Sequence, residues 1–244
     1  MSQDRLPDAV VRYSDHRDGI IDLHVPADPN GTLLVLVHGG FWMEEWDRTH
    51  TRDQARALAD LGYLVATPEY RRLRGEGGWP TTATDVLDAY AQLPDLLSGL
   101  GLEHSRTVTM GHSAGGHLVL WLAAQELIRP PDRTVALAPV CDLALAQTLG
   151  LGDGAVDELL DGTPLTAADP QTLHAGQPPG TVVILHGDRD HLVPIELGRS
   201  FATRHAWVEL VELPGVGHFE FLDPRDPVWK TLASAVADGQ TDPR

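Results

Sequence analysis

A serine between two glycines is the first candidate for chemistry in this chain. Gly111-His112-Ser113-Ala114-Gly115 has the pattern G-x-S-x-G and follows the apolar segment 107–110. This pattern is typical of a sharp strand-to-helix turn that lifts a hydroxyl above the end of a sheet. Because a serine hydroxyl is a weak nucleophile at neutral pH, it needs a base and a carboxylate that orients the base.

Two later loops carry these partners. Asp190 lies in the loop after the apolar segment 181–185, and His218 lies in a glycine-rich loop after the segment 208–213. Ser, acid and His follow one another in the chain order of serine hydrolases built on open α/β sheets. We therefore predict Ser113 as nucleophile, His218 as base and an acid from the same loop, Asp190 or Asp188, with Asp142 as a more distant alternative.

A third loop supplies candidate donors for an oxyanion. His38-Gly39-Gly40-Phe41-Trp42 follows the apolar segment 33–37, and its glycines let backbone N–H groups turn toward a developing negative charge. We predict the N–H groups of Gly40, Phe41 and Ala114 as the oxyanion hole. His38, His112 and His186 each end a predicted strand, and we interpret them as partners of backbone groups rather than as proton carriers.

Three aromatic residues are candidates for the substrate pocket. Trp42, Trp79 and Phe219 are expected either to line the acyl or leaving-group pocket or to be minor core contacts. Arg71 and Arg72 follow another strand end, where they would bind a substrate carboxylate or form structural ion pairs. Cys141, the single cysteine, is expected to be a buried small side chain.

Strand and helix signals alternate along the chain, which indicates a mostly parallel sheet covered by helices on both faces. About eight strands are predicted, at residues 10–13, 21–25, 33–37, 63–67, 107–110, 135–138, 181–185 and 208–213. Helices are predicted at residues 51–61, 82–97, 116–126, 195–205 and 228–237, with Pro94 bending the second. We expect one α/β domain over residues 1–244, with a small helical excursion at 142–180 in place of a large lid.

The four motifs together resemble those of the α/β-hydrolase superfamily. They are H-G-G-F-W, G-H-S-A-G-G-H, H-G-x-x-D-x-x-V-P and G-x-G-H-F, and the likeness extends from about residue 22 to 237. Small esterases related to hormone-sensitive lipase and kynurenine formamidases (arylformamidases) are the most similar groups. An aromatic residue and a tryptophan after H-G-G favour the formamidase side. The resemblance implies a triad of Ser113, Asp190 and His218, because the register of its motif selects Asp190 over Asp188. It also implies no metal and no organic cofactor.

The expected function is hydrolysis of a small ester or activated amide through an acyl enzyme, with N-formylkynurenine as the more specific substrate. An acyltransferase using the same triad and a non-catalytic ligand-binding module are the alternatives. Catalytically silent relatives usually lose a member of the triad, and here all three are present.

Charge and composition limit the partners. The net charge of −17 disfavours binding to nucleic acid and to anionic membranes. No apolar run approaches the length of a membrane span, and the N-terminus lacks the apolar region of a secretory signal. A cytoplasmic monomer or homodimer acting on a small molecule is therefore expected.

Overall fold

Eight strands form one sheet in the computed structural model, which describes residues 6–237. The strands are β1 Ala9–Arg12, β2 Ile20–His24, β3 Thr32–Val37, β4 Leu64–Pro68, β5 Arg106–His112, β6 Arg133–Leu137, β7 Thr181–Gly187 and β8 Glu209–Leu213. Their order across the sheet is β1-β2-β4-β3-β5-β6-β7-β8. β2 is antiparallel to both β1 and β4, and β3 to β8 run parallel.

Alternating side chains of the central strands enter two separate cores. On β3, Leu33, Val35 and Val37 pack into the core on one face of the sheet, and Leu34 and Leu36 pack into the other. This explains why the parallel strands read as continuous apolar runs, since both faces are covered.

Eight α-helices accompany the sheet within residues 6–237. They are α1 Arg52–Asp60, α2 Thr81–Gly99, α3 Ala114–Ala123, α4 Leu143–Thr148, α5 Leu151–Leu160, α6 Pro170–Leu173, α7 Glu196–Arg204 and α8 Trp229–Ala237. Buried side chains of α2, α3 and α7 join one core, and those of α1 and α8 join the other. The predicted fold class, with helices on both faces of a mostly parallel sheet, is confirmed.

The segment 142–180 forms the predicted helical excursion, made of α4, α5, α6 and a short 3-10 turn at Leu165–Ala167. Several hydrogen bonds fasten it to the body of the molecule. In two of them, His117 Nε2 donates to the Ala168 carbonyl at 3.0 Å, and the Trp79 N–H donates to the Leu159 carbonyl at 2.8 Å. Both bonds place the excursion against the core that contains α3. This is the face of the sheet on which α3 begins after Ser113.

Two predicted helices have different bounds in the structure. The predicted helix 116–126 begins at Ala114 and ends at Ala123, because Ser113 is itself the residue that precedes the first helical turn. Pro94 lies inside α2, and the helix continues through it to Gly99. No helix within the described residues has the length and apolar character to cross a membrane.

Candidate active site

Ser113 occupies a strained turn between β5 and α3. Its φ of 57° and ψ of −117° lie in a region that non-glycine residues rarely adopt. The two flanking glycines are required by close approach. A Cβ on Gly111 would lie 2.2 Å from the Gly115 carbonyl oxygen, and one on Gly115 would lie 2.1 Å from the Val37 carbonyl oxygen. The sequence pattern thus reflects a turn too crowded for a side chain at either glycine position.

The turn is fixed by hydrogen bonds to the neighbouring strand end. The Ser113 N–H donates to the Leu137 carbonyl at 2.8 Å, and the Ser113 carbonyl accepts from the Val140 N–H at 3.2 Å. Conformations of this kind cost about 1–3 kcal/mol and persist only where the surroundings enforce them.

Asp190 and His218 form a hydrogen-bonded pair at the ends of neighbouring strands. Asp190 follows β7 by three residues and His218 follows β8 by five. The Nδ1 atom of His218 donates to Asp190 Oδ2 at 2.6 Å. The other carboxylate oxygen, Oδ1, accepts the N–H groups of Leu192 at 3.0 Å and Val193 at 2.8 Å.

These partners keep Asp190 ionised. Burial by itself would raise the pKa of the carboxyl, but the imidazoles of His186 and His218 and the Val193 N–H together hold that pKa well below its ordinary value. The His186 Nε2 atom lies 3.6 Å from Asp190 and only 2.8 Å from the Val193 carbonyl, so we assign its proton to that carbonyl. A carboxylate fixed in this way can orient an imidazole and stabilise its protonated form.

The two alternative acids have other partners. Asp188 is exposed, and its Oδ1 accepts the Gly215 N–H at 2.6 Å, which ties the two loops together through the backbone. Asp142 caps α4, and its second oxygen accepts from Ser200 Oγ at 2.6 Å and from Gln171 Nε2 at 3.2 Å. Among the predicted acids, the structure brings only Asp190 to His218.

His112 connects the nucleophile's strand with the loop of the base. Its Nε2 atom donates to the His218 carbonyl at 2.8 Å, and the two imidazole centroids are 4.5 Å apart. This bond holds the His218 loop against the end of β5, the strand that Ser113 follows. Within residues 6–237 the hydrogen bonds include none between Ser113 Oγ and His218, and such bonds are often long in the absence of substrate.

The loop predicted to supply oxyanion donors passes directly against the serine. A Cβ on Gly39 would lie 3.2 Å from Ser113 Cβ. Gly40, Phe41 and Trp42 all have positive φ, at 105°, 47° and 59°. In the described part of the chain, no hydrogen bond uses the N–H of Gly40, Phe41 or Ala114, so these donors are free to face an incoming anion.

A buried ionic network fixes this loop from below. His38 Nε2 lies 2.8 Å from Glu69 Oε1, its ring stacks on Tyr70 at 4.2 Å, and Tyr70 Oη donates to the His38 carbonyl at 2.9 Å. Burial would raise the pKa of Glu69, but the charges of His38 and Arg72 lower it to about 2.

Both arginines considered as carboxylate binders are engaged by acidic side chains of the protein. Arg72 pairs with Glu69, and Arg71 forms a bidentate pair with Asp85 at 2.8 and 2.6 Å. The structural ion pair, one of the two expectations for these residues, is the one observed.

The three aromatic pocket candidates lie in different environments. Trp42 is fully buried and meets His117 edge-on at 5.2 Å, which places it in the core beneath the oxyanion loop rather than on an open wall. Trp79 is half-buried between His117 and Trp121. Phe219 is 59% exposed and its ring centroid lies 5.2 Å from that of His218, so it is the candidate that a ligand can reach from solvent.

The remaining histidines at strand ends contact backbone carbonyls, as interpreted from the sequence. His38 reaches the Gly39 carbonyl at 2.9 Å, in addition to Glu69, and His186 reaches that of Val193. Cys141 is buried. Sequence reasoning missed that the carbonyl contacted by His112 is that of His218 itself, and no local signal marks a bond across 106 residues.

A cavity of about 460 Å³ lies elsewhere in the described part of the chain. It is lined by Leu33 and Thr107 near the starts of β3 and β5, together with residues of α2 and the segment after α3. Ser113, Asp190 and His218 lie at the carboxyl ends of strands, where open α/β sheets place their sites. The predicted chemistry belongs to that end, because Asp190 and His218 are hydrogen-bonded there and Ser113 follows β5 at the same edge of the sheet.

Residues 21–135 match the model of the BD-FAE family. Among curated relatives, esterase LipC of Mycobacterium tuberculosis is 26% identical over 249 residues, covering 87% of this chain and 60% of the relative. Ethyl acetate hydrolase of Pseudomonas putida is 26% identical over 209 residues, covering 77% of this chain and 65% of the relative. The chain thus spans less than two thirds of the length of both relatives.

Solved structures of similar fold include two esterases. Esterase B from Lactobacillus rhamnosis superposes with a TM-score of 0.79 at 20% identity, covering 94% of this chain and 85% of that one. Thermogutta terrifontis esterase 2, phosphoramylated by tabun, gives 0.78 at 22% identity, covering 97% and 96%. At these identities the likeness shows a shared fold.

Proposed function

We propose that this chain is a serine hydrolase of the α/β-hydrolase superfamily and that it cleaves small carboxylic esters through an acyl enzyme. The observation that carries the proposal is the 2.6 Å bond between Asp190 and His218, held beside a serine on a strained turn. The curated relatives, by name an esterase and an ethyl acetate hydrolase, support the same class of reaction.

In the proposed first step, Ser113 Oγ attacks the carbonyl carbon of the ester and His218 Nε2 accepts its proton. Asp190 holds the proton on Nδ1, so that Nε2 is bare and basic before the step, and stabilises the imidazolium after it. The N–H groups of Gly40, Phe41 and Ala114 bind the oxyanion; each such donor is worth about 3–4 kcal/mol in the transition state. His218 then protonates the leaving alcohol. In the second half of the reaction, water attacks the acyl carbon while His218 accepts its proton, and His218 then returns a proton to Ser113 Oγ as the acid leaves.

Within this class, the exposed ring of Phe219 beside His218 supports an aromatic leaving group. The leaving group departs toward His218 because it receives its proton there, and Phe219 lies on that side with its ring largely exposed. An aryl ring stacked on Phe219 gains about 0.5–1.5 kcal/mol beyond area burial. We therefore propose aryl esters and aryl formamides such as N-formylkynurenine as preferred over ethyl esters.

The nucleophile is tested with a covalent probe and a chromogenic ester. The wild-type protein is expected to react with a fluorophosphonate and to hydrolyse p-nitrophenyl acetate, and Ser113→Ala is expected to do neither while keeping its fold. Ser98→Ala, at an exposed position of α2, is the control and should match wild type. Wild-type turnover in Ser113→Ala, or no labelling of folded wild type, would refute the proposal.

The leaving-group preference is tested separately. Phe219→Ala should raise KM for phenyl acetate and for N-formylkynurenine and leave kinetics on ethyl acetate unchanged. Equal effects on all three substrates, or wild-type efficiency on ethyl acetate above that on phenyl acetate, would refute the aryl preference but not the esterase class. Transfer of the acetyl group to added alcohol in preference to water would identify an acyltransferase instead.

A further inference from the structure

His112 lies between the three parts of the proposed site. It is the last residue of β5 and precedes Ser113. On one side, a Cβ on Gly39 would lie 2.6 Å from the His112 carbonyl oxygen and 3.4 Å from its Nδ1. On the other side, its ring faces that of His218 with centroids 4.5 Å apart. The imidazole therefore fills the space between the oxyanion loop and the base.

The hydrogen bond of His112 fixes its tautomer. Its Nε2 atom lies 2.8 Å from the His218 carbonyl, which can only accept, so Nε2 carries the proton and Nδ1 does not. Burial and the neighbouring His218 lower the pKa of His112 to about 3. His112 is thus a neutral donor at any pH at which an ester is assayed.

The other hydrogen bonds of the His218 loop lead toward β7 and its loop. Gly215 donates to Asp188 at 2.6 Å, the Val216 carbonyl accepts from the Arg189 N–H at 3.0 Å, and the His218 side chain donates to Asp190. Each of these partners belongs to the loop that carries the acid. Within residues 6–237, the hydrogen bond from His112 is the one that links the 214–218 loop to the nucleophile's strand.

We propose that His112 is a positioning residue that holds the backbone of His218 in register with Ser113. This inference rests on the proposed function, because it concerns how the base reaches the nucleophile. His112 does not touch the reacting atoms and does not exchange a proton during turnover. Its effect is geometric: a base displaced by about 1 Å loses up to about 10²-fold in rate.

The test uses three variants and one matched control, each assayed with p-nitrophenyl acetate. His112→Phe keeps ring volume and removes the donor, His112→Gln keeps a donor near the Nε2 position, and His112→Asn carries a donor one bond shorter. The control is His174→Phe, because His174 is also a buried, uncharged imidazole bonded to a carbonyl, that of Leu120 at 2.9 Å, and lies outside the site.

We expect His112→Phe to lower kcat by about 10- to 100-fold at unchanged KM, equally at every pH tested. His112→Gln should recover most of this loss, and its rate of fluorophosphonate labelling should recover in parallel. His174→Phe should lower the melting temperature without changing kcat. If His112→Phe does not fold, His112→Gln should still exceed His112→Asn in kcat.

Each contrary result has a distinct meaning. Wild-type kcat in His112→Phe, equal losses in His112→Phe and His174→Phe, or no advantage of Gln over Phe and Asn would overturn the positioning role while the esterase assignment stands. A displaced acid limb in the pH profile of His112→Gln would show that His112 itself titrates, and would also overturn it. Failure of the wild type to label would instead overturn the proposed function.

Discussion

Replacing Asp190 by Asn should reverse the hydrogen bonding of His218 without moving the loop. Two backbone N–H groups, of Leu192 and Val193, point at Asp190 Oδ1. An Asn at this position keeps its carbonyl oxygen on these donors, so its NH₂ group faces His218 Nδ1. Because an NH₂ group only donates, Nδ1 must give up its proton and the proton moves to Nε2.

The size of the effect follows from this exchange. A protonated Nε2 cannot accept the Ser113 proton, and the imidazolium loses its carboxylate partner at 2.6 Å. We expect kcat for p-nitrophenyl acetate to fall by about 10³- to 10⁴-fold, the loss that a wrong histidine tautomer causes in serine hydrolases. This corresponds to about 4–5 kcal/mol of transition-state stabilisation.

The matched control is Asp188→Asn, two residues away in the same loop. Its Oδ1 accepts a backbone N–H of Gly215, and an Asn oxygen can accept the same bond. We expect kcat within about threefold of wild type, since only the charge of an exposed group is lost. Steady-state kinetics with thermal unfolding as a folding check would decide. Equal losses in both variants, or less than a tenfold loss in Asp190→Asn, would refute the assignment of the acid.

Three further predictions concern stability. Burial raises the pKa of Asp169 to about 6, so the folded state keeps a proton on this carboxyl that the unfolded state releases near pH 4. Stability relative to Asp169→Asn should therefore fall by about 2 kcal/mol as pH rises from 4 to 6. A pH-independent difference in urea unfolding would contradict this. Gly115→Ala should unfold the protein or abolish activity, because the added Cβ would meet the Val37 carbonyl. Gly99→Ala is the control, since the space around Gly99 is open, and it should have the wild-type melting temperature or a higher one. Equal melting temperatures of the two variants would contradict the clash. Ser113→Gly should lose activity but gain about 1 kcal/mol of stability, because glycine adopts the positive φ of this turn without strain. The control Ser98→Gly should lose about 0.5–1 kcal/mol of stability. If Ser113→Gly were less stable than the wild type, the turn would store no strain.

The sequence predicted the fold because its signals are local. Continuous apolar runs such as that of β3 indicate strands buried on both faces. The G-x-S-x-G pattern indicates the strand-to-helix turn, because the turn is so crowded that only glycine fits at its two outer positions. The parallel arrangement then requires residues that follow different strands to meet at one edge of the sheet. Asp190 and His218 could be placed together for this reason.

Other features depend on contacts that no local pattern records. The choice of Asp190 over Asp188 depends on which carboxylate the 190–193 turn directs inward, and both follow the same strand within three residues. Trp42 is chemically suited to a pocket wall, yet the positive φ values of Phe41 and Trp42 turn its ring into the core. The bond from His112 to His218 joins two loops whose spacing is set by the whole sheet.

The backbone strain of the protein explains why these contacts matter together. Of the non-glycine residues with positive φ, Phe41, Trp42, Ser113 and Ala138 all follow the carboxyl ends of the adjacent strands β3, β5 and β6. Such conformations last only where hydrogen bonds and packing leave no alternative. Here the Ser113 N–H is held by Leu137 and the Ala138 N–H by Leu185, so each turn is fastened to the next strand of the sheet. The turn that carries the proposed nucleophile is therefore fixed before any substrate arrives. The proposed base, His218, lies on a glycine-containing loop beyond β8, and the side chains of His112, Asp188 and Asp190 hold that loop in position.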